Sequence, residues 1–130
     1  MGLSSRSVLA VFATGVWVNA SEFFRNEWLL KHYWTAHYES LGFTFPSAPV
    51  NGMVWMLWGF LFATVIYLVS RKFDLKQTVL LSWLTGFVLM WVVVGNLGML
   101  PMGILVYAVP LSLLEVFVGT LICRKLAPVA

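Results

Sequence analysis

The chain has 130 residues, 61% of them hydrophobic and 10% charged, with a mean hydropathy of +0.90 and a formal charge of +3. Soluble domains average roughly 45 to 50% apolar and about 25% charged residues, so the composition excludes an ordinary water-soluble fold. The charge is scattered over the ends of apolar runs, which leaves no patch for nucleic acid, and the single cysteine, Cys123, excludes an internal disulfide and a multi-cysteine metal site.

One helical crossing of a ~30 Å hydrocarbon layer takes about 20 residues. Four segments qualify, residues 7–24, 52–69, 78–95 and 101–123, and together they predict an all-α, four-helix membrane bundle forming one domain over 1–130. The first segment imitates a secretory signal peptide, with Arg6 ahead of an apolar run and Val18-Asn19-Ala20 where a cleavage site would stand. It is read here as the first span. Residues 25–45 then mix charges with aromatic rings. At a spacing of 3.6 residues per turn, Phe23, Leu30, Trp34, Tyr38 and Leu41 share one face, and Arg25, His32, Thr35 and Glu39 take the other. This predicts an amphipathic helix lying in the membrane interface, with Trp34 and Tyr38 in contact and Pro46 beyond its end. Trp55 and Trp58 fit an aromatic belt at the same surface. The turn Arg71-Lys72-Phe73-Asp74 separates spans two and three, and Gly95, Gly98, Pro101 and Gly103 make the last connection a tight hairpin.

Basic residues set the expected orientation. Arg6, Arg71, Lys72, Lys76, Arg124 and Lys125 fall on one side, and Arg25 and Lys31 on the other. The positive-inside bias places both termini in the cytoplasm of a bacterial inner membrane.

Ionisable groups inside spans suggest function, since a carboxylate at a helix centre costs roughly 2.5 to 3.5 kcal/mol on insertion scales. Glu115 is the deepest, on a stripe with Ala108, Ser112 and Gly119 that should face protein. Counted from the cytoplasmic ends, Thr14, Thr64, Thr85 and Glu115 all lie about 10 to 13 Å inside, which predicts a polar layer with Ser112 as a further member. A second group, Asn19, Glu22 and Asn26 with Asn51 and Asn96, is expected to floor an outward vestibule, the alternative being a hydrated helix end with a Glu22 to Arg25 pair. Glu115 itself has two readings, a protonated acid that serves packing or a site for a proton, cation or amine. His32 and His37 point about 140° apart on a helix, so a shared metal is not expected. No nucleophile motif, phosphate loop or haem or iron-sulfur spacing occurs, so no cofactor is expected, and catalysis is left open only through a site assembled from residues on separate helices.

Through Gly15-Val16-Trp17, Glu39-Ser40-Leu41-Gly42, Gly86-Phe87 and Asn96, the chain resembles a family of small four-helix bacterial integral membrane proteins of unknown function. The resemblance implies the four-span fold and supplies no substrate or catalytic residue. Two functions are carried forward. The first is binding or transport of a small solute or ion by an oligomer that closes through a small-residue face, Gly59 and Ala63. The second is an accessory subunit docked on a larger membrane complex.

Overall fold

A computed structural model describes residues 4–129. The described residues form five helices: α1 (Ser5–Leu29), α2 (Lys31–Ser40), α3 (Pro49–Ser70), α4 (Leu75–Asn96) and α5 (Met102–Leu126). All but α2 are long and apolar enough to cross a membrane, and they cover the four predicted spans except for Pro101, which lies just ahead of α5. No strand occurs among the described residues.

Local chemistry fixes where the helices start. Ser4 accepts from the Ser7 amide at 3.1 Å and caps α1. Asp74 accepts from the Gln77 amide at 2.8 Å while the Gln77 side chain accepts from the Asp74 amide, a reciprocal cap on α4. Pro49 opens α3, where a missing N–H costs nothing. The Asn51 side chain accepts from the Ala48 amide at 3.0 Å, so Asn51 caps this helix and does not floor a vestibule.

The bundle is drawn together at glycines. A Cβ on Gly15 would stand 2.2 Å from the Phe60 ring, and one on Gly86 would stand 2.3 Å from the Phe62 ring. A Cβ on Gly59 would meet the Asn19 side chain at 2.6 Å. Gly59 and the next small residue on its face, Ala63, are therefore buried inside the chain's own bundle, Gly59 against α1. This corrects their expected role, because a face spent on packing α3 against α1 is not free to join a second copy.

Two apolar cores result. One, toward the termini, gathers Ala10, Val18, Phe62, Ile66, Phe87 and Val116. Trp58 stacks on Phe62 with ring centroids 5.1 Å apart and meets Phe87 edge-on, so it belongs to this core and not to a surface belt. The other core joins Leu30 to Leu100, Ile104 and Ala108, with Tyr33 and Trp34 packed against it. It seats α2 over the α4–α5 hairpin, where His37 Nε2 also lies 2.7 Å from the Gly98 carbonyl oxygen. The outward faces are apolar: Phe12, Met53, Leu57, Leu61, Val92 and Val106 are all exposed.

α1 does not keep one helical pitch. From Phe23 to Leu29 it widens into a π-helix, and the Leu30 amide reaches back five residues to the Arg25 carbonyl at 2.8 Å. Buried positions accordingly step from Val18 to Glu22 and Arg25 and then directly to Leu30. The expected face of residues 23–41 is half corrected by this wider turn. Leu30, Trp34 and Tyr38 do face inward or lie half-buried, but Phe23 and Leu41 are 67% and 43% exposed, and Arg25 is buried. α4 carries a second π segment, Leu84–Val88, which presents Phe87 to the interior.

Candidate functional site

The two π segments and the middle of α5 meet around a buried arginine. Arg25 Nη2 is paired with Glu22 Oε1 three residues earlier, and Arg25 Nη1 lies 3.4 Å from Glu115 Oε1 on α5. The guanidinium carbon also stands 5.2 Å from the centre of the Phe87 ring, a cation–π contact from α4. All three ionisable side chains are shielded from water, Glu115 completely. One cation thus sits between two carboxylates in an apolar interior.

The two acids are not held alike. Glu22 is fully engaged, since Asn26 Nδ2 donates to its Oε2 at 2.9 Å while Arg25 takes Oε1. Asn26 is in turn positioned by Trp34, whose indole N–H donates to Asn26 Oδ1 at 3.2 Å. Glu115 has only the long contact to Arg25 on one oxygen, and among the described residues nothing bonds its Oε2. Its backbone is better fixed than its carboxyl group: Trp17 on α1 donates its indole N–H to the Glu115 carbonyl at 2.8 Å.

Beside Glu115 a half-open cavity of about 280 Å³ lies between α1 and α5. Trp17, Phe24, Leu111 and Leu114 give it apolar walls, and Arg25, Glu115 and Ser21 are its polar lining.

The sequence-predicted site divides. Glu115 and Glu22, expected at separate levels, are brought into one cluster, because the long side chain of Arg25 spans the gap to a carboxyl group near the middle of the 25-residue α5. This corrects the reading of Glu22 and Arg25 as a hydrated helix end. Ser112, one turn from Glu115, accepts from the Trp83 indole at 2.9 Å and donates to the Val109 carbonyl. The threonine layer does not form around the acid. Thr14 bonds the Cys123 sulfur at 3.1 Å, Thr64 donates to the Phe60 carbonyl, and Thr85 lies exposed with its hydroxyl donating to Leu81. Asn19 donates to the Gly15 carbonyl at 2.8 Å and fills the α1–α3 contact, while Asn96 is exposed at the end of α4. Tyr38 packs edge-on to Phe45.

The i, i+3, i+4 spacing of Glu22, Arg25 and Asn26 already grouped these three in the sequence. Sequence reasoning missed that they meet Glu115, and it missed Trp17 and Phe87 as members of the cluster. Among the described residues no group of three or more His, Cys, Asp or Glu could hold a metal ion. No protein-family model, characterised protein or solved structure matches the chain in sequence or fold.

Proposed function

We propose that this is a polytopic membrane protein that binds and exchanges a proton or a small cation at Glu115, as the binding step of solute or ion transport. One observation carries the reading: two buried carboxyl groups share one buried guanidinium, and Glu115 Oε2 has no partner among the described residues. With both acids ionised the cluster holds a net charge of −1 where water cannot screen it, a costly state. A proton or a cation cancels that charge. It belongs on Glu115, because both oxygens of Glu22 are already engaged. The apolar outward faces support a hydrocarbon surround, since contiguous apolar surface on this scale is a liability in water. The site is assembled within one chain, so its chemistry needs no second copy.

The test compares wild type with Glu115→Gln in reconstituted bilayers. The carboxylic acid infrared band is followed from about pH 4 to about pH 10, a window that brackets the ordinary glutamate value of about 4.3. Wild type should show a titrating band, and Glu115→Gln, which keeps shape and hydrogen-bonding capacity, should lose it while still inserting. A wild-type carboxyl group that never titrates, or an unchanged band in the variant, overturns the reading.

A further inference from the structure

We infer that the groove between α1 and α5 takes a lipophilic ammonium ion, a cationic nitrogen on a hydrocarbon body, entering sideways through the exposed faces of these two helices. The inference deepens the cation-exchange reading of Glu115 and rests on it. Three observations converge. The groove is half-open and lies between surfaces that are themselves apolar, with Leu114 at its edge 53% exposed. Its walls, Trp17, Phe24, Leu111 and Leu114, are hydrocarbon and aromatic ring, which suit an apolar body and repel a hydrated inorganic ion. Glu115 is among its lining residues, with a fully buried carboxyl group and an acceptor oxygen that has no partner among the described residues, in a cluster one positive charge short of neutrality when both acids are ionised. An ammonium N–H supplies both the donor and the charge, and the aromatic lining residues Trp17 and Phe24 offer cation–π partners. About 280 Å³ accommodates a headgroup and its first carbons, the rest of the chain remaining among lipid tails.

The charges that face Glu115 are few. From α1 come Arg25, which also lines the groove and is held by Glu22 and by Glu115 Oε1, and Glu22 itself. α4 contributes the neutral rings of Phe87 and Trp83 near this level. The buried titratable group of α3, Tyr67, is bonded to Ser7 at 2.6 Å toward the termini. Binding therefore balances simply: the ammonium ion enters, the proton held on Glu115 leaves, and the charge of the cluster does not change. Where the proton holds the site, one-for-one exchange lowers affinity for the cation about tenfold for each unit by which pH falls.

The probe is dodecylammonium, with dodecanol as its neutral match, added to the full chain in phosphatidylcholine nanodiscs and corrected for partition into empty discs. Wild type should bind dodecylammonium saturably, release protons in equal number and weaken as pH falls, and dodecanol should show partition only. Leu114→Trp, which adds bulk at an exposed position and so leaves the core intact, should weaken binding at least about tenfold, a change of ~1.4 kcal/mol. Equal binding of dodecanol, or wild-type affinity in Leu114→Trp, overturns the inference. The two proposals fail separately. A Glu115 band that titrates in a protein that ignores dodecylammonium removes the ammonium ion and leaves proton exchange standing, whereas dodecylammonium bound without proton release removes the exchange.

Discussion

An arginine and two carboxylates taken out of water each lose several kcal/mol of hydration, and only their mutual contacts recover it. In this chain the recovery is uneven. Glu22 is gripped from two sides, by Arg25 and by Asn26, whereas Glu115 holds Arg25 at 3.4 Å and has a free oxygen. In the proposed exchange, the uneven grip would make Glu115 the exchangeable acid and Glu22 the fixed counter-charge of Arg25. A specific outcome follows for Glu22→Gln, which removes one negative charge without touching Glu115. Arg25 then has a single carboxylate to neutralise it, the cluster is already balanced, and it has no further need of a proton. The titrating infrared band of wild type should disappear in Glu22→Gln although Glu115 is still present. A band that persists unchanged would show that Glu115 exchanges protons independently of Glu22 and would remove the shared-charge account.

At the scale of elements, regular periodicity was legible in the letters and departures from it were not. Apolar runs of membrane length marked α1, α3, α4 and α5, although the expected spans two and three began at 52 and 78, three residues inside the helices that Pro49 opens and Asp74 caps. The π-helix at Phe23–Leu29 was hidden, because one wide turn leaves composition untouched and only shifts phase. A wheel drawn at 3.6 residues per turn over residues 23–41 consequently set Arg25 opposite Leu30, Trp34 and Tyr38, which hid its inward reach to Glu115. The threonine layer failed for another reason: depth along a helix says nothing about direction around it, and Thr64 and Thr85 spend their hydroxyls on their own backbone. α2 is tied to the site by one indole, that of Trp34 on Asn26. Trp34→Phe removes that N–H while keeping the ring that packs on Leu30 and its neighbours. Losing one hydrogen bond worth about 0.5 to 1.5 kcal/mol should speed amide exchange across Lys31–Ser40 about two- to tenfold and leave α3 to α5 unchanged. Exchange that stays at the wild-type rate would mean that apolar packing alone seats α2.

For the molecule as a whole, charge asymmetry predicts how the bundle stands in a bilayer. At the end that carries both termini, Arg71 Nη1 donates to the Ala127 carbonyl at 2.8 Å and Arg124 Nη1 lies 3.4 Å from the Phe73 carbonyl, so the α3–α4 turn and the C-terminal segment are knitted into one basic surface. The opposite end has α2 and the exposed pair Lys31 to Glu27 at 3.2 Å, which adds no net charge. On the positive-inside bias we propose that the terminal end lies in the cytoplasm and α2 outside. In that orientation Glu22 and Asn26 would stand on the outer side of Glu115, and protons or cations released outward would pass them. Single cysteines test this in a Cys123→Ser background, which keeps a hydroxyl for the Thr14 contact. Phe73→Cys and Val129→Cys, both at exposed positions, should be protected from an impermeant thiol reagent in intact cells and react once the membrane is opened, whereas the exposed Ser47→Cys should react in intact cells. Labelling of Phe73→Cys from outside, with Ser47→Cys protected, would invert the bundle. It would put Glu22 and Asn26 on the cytoplasmic side of Glu115 and reverse the direction in which the site releases its cation.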